Sequence, residues 1–210
     1  MIRTVVVADT PFLVAHPPSA EALIDEEAYA IDERLPYWAD LWPSAHVLAA
    51  HLAGRDLAGV RVLELGCGIG LPAVCAAHGG ARVLATDWYQ EALTFTRRNA
   101  EANGVEVETL LVDWRRPPAA LADAGPFDLI VGADVLYEQR NGVALAPLVA
   151  SLAEPGCEVV IADPRRPHSG ELTDRLVARG WDHATEEVRH GARVDESGPV
   201  IRLHHLSPPR

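Results

Sequence analysis

Between Val60 and Leu71 the chain reads VRVLELGCGIGL: an apolar strand that ends in an acid and runs into a glycine cluster opening a helix. Val60, Val62, Leu63 and Leu65 have the near-continuous apolar character of a strand buried on both faces in a parallel sheet. Gly66, Gly68 and Gly70 follow at alternate positions, which lets the backbone turn tightly and lets a ligand approach where a β-carbon would clash. The spacing is G-x-G-x-G, and Leu71 stands where a dinucleotide fingerprint would place its third glycine. Taken alone, the loop reads either as a nucleotide-cofactor cradle or as a tight strand-to-helix connection.

From Val60 onward, strand-like and helix-like segments alternate, the pattern of a parallel sheet covered by helices on both faces. Strands are expected at Val60–Leu65, Ala81–Thr86, Val105–Val112, Phe127–Ala133, Glu158–Ala162, Trp181–Val188 and Pro199–Leu206. Helices are expected at Leu71–His78, Gln90–Asn103, Val143–Ala153 and Ser169–Arg179, with a short one at Pro118–Asp123. Gly79-Gly80 and Asn103-Gly104 stop helices, whereas Gly125-Pro126 and Pro155-Gly156 introduce strands. The loop from His190 to Gly198 is too short for a crossover helix, so the last two strands should pair antiparallel. The expected fold is therefore α/β and Rossmann-like: a seven-stranded, mostly parallel sheet with a C-terminal antiparallel hairpin. A seventh strand argues against the six-stranded NAD-binding sheet. Ahead of the core, Thr4–Val7 reads as an edge strand broken by Pro17-Pro18, and Ala20–Ala30 as an acidic helix. Residues 1–210 are expected to form a single domain, with an N-terminal segment over 1–52 and the core over 58–210.

Composition excludes several classes. At 210 residues, 49% hydrophobic and 23% charged, the chain suits one globular domain. No apolar run reaches the roughly 18 to 20 residues of a membrane span, and no basic region followed by an apolar one opens the chain, so a cytoplasmic location is the default. Cys67, Cys75 and Cys157 lack C-x-x-C spacing and read as small buried hydrophobes. The histidines show no ligand spacing, His204 and His205 point to opposite faces of a strand, and no metal is expected. A net charge of −12 argues against a nucleic-acid surface and favours a basic partner.

In an open parallel sheet, ligands sit beyond the carboxyl ends of the strands. Acids stand at or near those ends in each of the parallel strands: Glu64, Asp87, Asp113, Asp134 and Asp163. Any one of them could be a helix N-cap, but together they line one edge of the sheet. Asp87 lies where an acid can accept hydrogen bonds from both ribose hydroxyls. Asp113 suits an exocyclic adenine amine, with Trp114 or Trp88 flanking the base. An adenosine moiety fits, and a triphosphate does not, because no G-K-[ST] lysine follows the glycines.

Through ELGCGIG, the acid of TDW and the acid of VDW, the chain resembles the class I, seven-strand S-adenosylmethionine-dependent methyltransferases from Tyr37 onward. PYWADLWPSAHVLAAHL, GADVLYE and ADPRRP extend the likeness to the methyltransferase family 16 group, largely protein-lysine methyltransferases marked by a D-x-x-Y motif. Here that motif is Asp134-Val135-Leu136-Tyr137. Within the group the chain is similar to bacterial relatives of the electron-transfer-flavoprotein β-subunit lysine methyltransferase, often labelled nicotinamide methyltransferase-like. The resemblance implies S-adenosyl-L-methionine as cofactor. It makes Glu64, Gly66, Gly68 and Gly70, with Cys67 between them, the methionine-side loop. Asp87 becomes the ribose ligand, and Asp113 the adenine-side ligand with Trp88 and Trp114 beside it. Ala133 is a further cofactor-binding residue, and Trp42 closes over the cofactor from the N-terminal segment. Trp38 and Trp42 read alternatively as one core-facing side of a helix with Ala45 and Leu48.

Methyl transfer needs alignment rather than a nucleophilic triad. Asp134 would bind the incoming ammonium, as a base or only to orient the amine, and Tyr137 would wall the channel or face the cation. The alternative for this pair is a helix cap and a core tyrosine. Arg165 and Arg166 read as solvated loop charges, with contact to a carboxylate as the other possibility. The expected function is protein-lysine N-methylation, without a nucleic-acid or membrane partner. Methylation of a small amine or hydroxyl compound is the nearest rival, ahead of a non-catalytic cofactor-binding module and a Rossmann-type oxidoreductase.

Overall fold

The structure, a computed structural model, describes residues 1–18, 23, 35–191 and 198–209. Two strands, β1 (Ile2–Val7) and β2 (Thr10–Ala15), precede a 3₁₀ turn at Tyr37–Ala39 and helix α1 (Pro43–Ala53). The core then alternates β3 (Arg61–Leu65), α2 (Leu71–His78), β4 (Arg82–Asp87), α3 (Gln90–Ala102) and β5 (Glu108–Leu111). It continues with α4 (Ala119–Asp123), β6 (Phe127–Ala133), α5 (Gln139–Leu152), β7 (Ala153–Asp163), α6 (Gly170–Val177), β8 (Asp182–Arg189) and β9 (Val200–Ser207).

The main sheet has seven strands in the order β5-β4-β3-β6-β7-β9-β8. Strands β5 through β7 are parallel, β9 is antiparallel to β7, and β8 pairs antiparallel with β9. This is the expected α/β sheet with its terminal hairpin. After β3 the chain builds outward through β4 and β5, then returns to place β6 on the other side of β3. The carboxyl ends of β3 and β6 therefore flank the topological switch point, where ligands of open α/β sheets bind.

Alternation along each strand divides the core. Leu63, Leu65 and Ile130 face one layer with Leu145 and Val149 of α5 and Leu172 and Leu176 of α6. Val62, Val83, Ala85 and Val131 face the other layer with Val47, Leu48 and Leu52 of α1, Ala73 and Ala76 of α2 and Leu93 of α3. Cys67, Cys75 and Cys157 are all buried. Among the described residues, no helix is long and apolar enough to cross a membrane.

The N-terminal expectation needs correction. Thr4–Val7 is not an edge strand of the main sheet, because β1 and β2 form a separate antiparallel hairpin. Ala8 and Asp9, with φ of 46° and 68°, supply the left-handed two-residue turn that such a hairpin requires. Its inner side packs Phe12 and Val14 against Ile69, Leu71 and Val74. Asn99 of α3 and Asn103, which caps the C-terminus of that helix, then act as a surrogate strand. Asn99 and Asn103 donate to the carbonyls of Ala15 and Leu13, and accept from the backbone N–H groups of the same residues. The suggested helix at 20–30 lies outside the described residues. Elsewhere β5 is shorter than expected, while β7 begins directly at the end of α5.

Candidate functional site

A cavity of about 460 Å³ opens at the switch point. It is large enough for a cofactor-sized ligand. Every residue singled out in the sequence for cofactor or acceptor lines it: Trp42, Glu64, Gly66, Cys67, Gly68, Gly70, Asp87, Trp88, Asp113, Trp114, Ala133, Asp134 and Tyr137. Asp163, the remaining strand-end acid, does not.

The floor is the glycine loop between β3 and α2. Gly66, Gly68 and Gly70 have φ of +67°, +54° and +81°, where side chains are strained. A β-carbon on Gly70 would meet Thr96 Oγ1 at 2.6 Å, so this glycine is required by packing as well as by conformation. Thr96 in turn donates to the Gly68 carbonyl, and Asn99 donates to that of Ile69. Asp87, at the end of β4, accepts from Gly68 N and Tyr89 N at 2.9 Å each, tying the loop to the neighbouring strand. A carboxylate offers about four acceptor positions, so these bonds are compatible with further donors.

Glu64 is fully buried beneath this loop. Burial pushes its carboxyl up to about 8; a hydrogen bond from the Ala73 amide opposes the shift, and the negative Asp87 adds to it. The acid is thus neutral at physiological pH, and its Oε2 has no partner. Trp114 Nε1 and Asn141 Nδ2, on two other lining residues, are also buried without partners. Buried polar atoms are nearly always satisfied. Three unsatisfied atoms on residues lining one cavity fit a wall built to receive a polar ligand.

Opposite the loop, Asp113 and Trp88 are joined through Arg115. The guanidinium hydrogen-bonds both Asp113 oxygens, at 3.0 and 3.1 Å, and lies 5.2 Å over the Trp88 ring. Trp114 lies edge-on to Gly66, whose absent β-carbon would come within 3.2 Å of the ring.

The mouth is formed at the end of β6. Asp134 is 7% exposed and holds φ +55°, an unusual setting for a residue with a side chain. Its oxygens accept from Arg166 Nε at 2.8 Å and an Arg166 terminal nitrogen at 2.9 Å, a bidentate pair. The Arg166 amide donates to the buried Asp163, which fixes the loop carrying the guanidinium. Arg166 is therefore not a solvated loop charge as expected. Hydrogen bonding to Asp134 raises its own proton affinity despite partial burial. Beside this pair, Tyr137 meets Tyr37 edge-on at 5.5 Å, and Tyr37 meets Trp42 at 6.0 Å. Trp42 caps the start of α1 and donates its indole N–H to the Tyr37 carbonyl. Trp38 and Trp42 do not share a helical face: Trp38 sits in the 3₁₀ turn and is buried against Tyr89 and Phe95. Arg166 thus takes the carboxylate contact that the sequence offered only as its second reading, and Tyr37 is a lining residue that no sequence signal had marked for this site.

Sheet order, glycine loop and strand-end acids together define the class I, seven-strand methyltransferase fold. Solved structures agree. The T. thermophilus 16S rRNA N2 G1207 methyltransferase superposes with a TM-score of 0.70 at 16% identity, over 100% of this chain and 50% of that one. The magnesium protoporphyrin IX methyltransferase of Synechocystis PCC 6803 gives 0.60 at 20% identity, over 79% and 78%. The chain belongs to the lysine methyltransferase family, whose sequence model matches residues 37–173. Histone-arginine methyltransferase METTL23 of Xenopus laevis is 38% identical over 106 residues, 48% of this chain and 45% of that protein. The electron transfer flavoprotein beta subunit lysine methyltransferase of Xenopus laevis is 36% identical over 135 residues, 62% of this chain and 53% of that protein. The chain spans about half the length of these curated relatives.

Proposed function

We propose that this chain transfers a methyl group from S-adenosylmethionine to the side-chain amine of a lysine in a protein substrate. The observation that carries the reading is one cavity that joins a glycine cradle with an acid and aromatic mouth, Asp134 with Tyr137 and Tyr37. Glu64 and Gly66, Gly68 and Gly70 would hold the methionine end of the cofactor, and Asp87 the ribose. Asp113, Trp88 and Trp114 would hold the adenine. The cofactor, when bound, supplies a methyl carbon activated by positive sulfur.

What remains for the protein is placement. A lysine must present a neutral nitrogen, and the product is again a cation. Both Asp134 oxygens are engaged by Arg166, so the carboxylate acts as a fixed acceptor that orients N–H groups rather than as a proton carrier. The tyrosine faces provide cation–π attraction of roughly 0.5 to 2 kcal/mol for the charged forms of the side chain. Trp42 and Tyr37 cover the site from the N-terminal segment, consistent with residues 1–52 and 58–210 forming one domain.

One observation favours a second reading. A guanidinium already occupies the Asp134 fork, and an arginine acceptor would present the same group, as the histone-arginine relative's name suggests. Transfer of tritiated methyl groups into a source-organism lysate, followed by amino-acid analysis of labelled bands, separates these outcomes. Methyl-lysine supports the proposal, methylarginine the second reading, and label confined to small molecules defeats both. Full activity of Asp134→Ala would remove that residue from the acceptor site. Calorimetric titration adds an independent check: tight NAD binding without a response to S-adenosylmethionine would overturn the cofactor assignment.

A further inference from the structure

Away from the cavity, α1 lies over β6, β7 and β9. Under its last turn, a ligand atom from each of His51 of α1, Glu158 of β7 and His205 of β9 falls within 4.8 Å of the others. None of the three lines the cofactor cavity. We propose that His51, Glu158 and His205 form a zinc-binding site that fastens the end of α1 to the sheet.

The donor set is two imidazoles and a carboxylate, which suits zinc and leaves a fourth position for water. Tetrahedral donors about 2.0 to 2.1 Å from zinc lie roughly 3.3 Å from one another. His205 Nδ1 is already 3.2 Å from Glu158 Oε1, close to that separation. His51 Nε2 is buried and has no hydrogen-bond partner, a donor atom that nothing in the protein satisfies. The two imidazole rings meet at 5.4 Å with planes 60° apart. Arg55 hydrogen-bonds the other Glu158 oxygen, Oε2, at 2.7 Å. That contact fixes the carboxylate and leaves Oε1 turned toward His205, the role of an outer partner that orients a ligand.

The test is titration of the chelator-treated full chain with zinc chloride, read by calorimetry and by thermal melting. Expected are one zinc per chain and a rise in Tm, with magnesium giving no rise because it disfavours imidazole ligands. His51→Gln and His205→Gln should each weaken zinc binding at least tenfold and remove most of the Tm gain. Glu158→Gln gives a third arm should either histidine variant misfold by circular dichroism. Absence of zinc binding up to about 100 μM, some hundredfold weaker than a micromolar site, would overturn the proposal. So would wild-type affinity in the folded variants, which would place the ion elsewhere, as at His46–His190 or His183–His204.

Discussion

Asp134 holds a left-handed backbone conformation, and its carboxylate is committed to Arg166. Such strain costs about 1–3 kcal/mol and persists where surrounding contacts determine it. Here the Asp134 amide donates to Ala162 O while Arg166 grips the side chain, so backbone and carboxylate are fixed from the same neighbouring strand and its loop. Arg166→Ala leaves a nearly buried carboxylate unpaired. With the arginine about one-third exposed, the expected loss is about 1–2 kcal/mol of stability. The larger effect should be on turnover: at least a tenfold fall in kcat, with the Kd for S-adenosylmethionine within about twofold of wild type. Wild-type kcat/KM in this variant would remove the pair from the acceptor site. Asp134 was legible in the sequence because strand alternation places it at a strand end. The carboxylate contact of Arg166 was legible only as an alternative and its partner was not, since thirty-two residues separate the two. Only the pairing of β6 with β7, Ala133 beside Ala162, brings the two ends together.

At the scale of elements, the succession of strands and helices followed from apolar periodicity, whereas the order of strands within the sheet and the N-terminal hairpin did not. Its turn uses Ala8-Asp9 rather than the Asn-Gly or Asp-Gly pair that marks such hairpins, and its outer edge is satisfied by side chains of a distant helix. The 3₁₀ turn that separates Trp38 from Trp42 defeats a helical-wheel reading for the same reason: the geometry depends on what packs against it. Asn99 links these parts, bonding both backbone groups of Ala15 and the Ile69 carbonyl of the glycine loop. Asn99→Ala orphans three buried backbone groups and should cost about 2–4 kcal/mol, lowering Tm by roughly 5–10 °C. Affinity for S-adenosylmethionine should fall as well, because the loop loses an anchor. Asn103→Ala, in more exposed surroundings, should cost no more than about 1 kcal/mol and leave affinity unchanged. Equal effects from the two substitutions, measured by melting and calorimetry, would count against Asn99 as the link.

For the whole molecule, the switch point gathers acids from separate strands beneath one cavity, and a protein of net charge −12 gains from keeping one of them neutral. Glu64 does this: its carboxyl titrates near 8 in the folded chain and near 4.5 when exposed to water. Between those values the folded state holds a proton that the unfolded state has released, so this group's contribution to stability falls as pH rises from about 4.5 to about 8. The full span amounts to several kcal/mol, since each tenfold change in proton affinity is worth about 1.4 kcal/mol. His51, His183 and His190 act in the opposite sense at the acid end, because partial desolvation lowers their proton affinity and stability is lost as pH falls through their unfolded range. The informative quantity is therefore the difference between wild type and Glu64→Gln, which should move steadily against wild type from pH 5 to pH 8. A difference that stays constant with pH would show that Glu64 is ionised in the folded chain. The cofactor assignment adds a proton to the balance. A cation drawn beside Glu64 favours the carboxylate, so binding of S-adenosylmethionine at pH 7 should release up to one proton. Calorimetry in buffers of different ionisation enthalpy would detect it, and in Glu64→Gln the release should vanish. Equal release in both proteins would place the methionine end of the cofactor away from this acid.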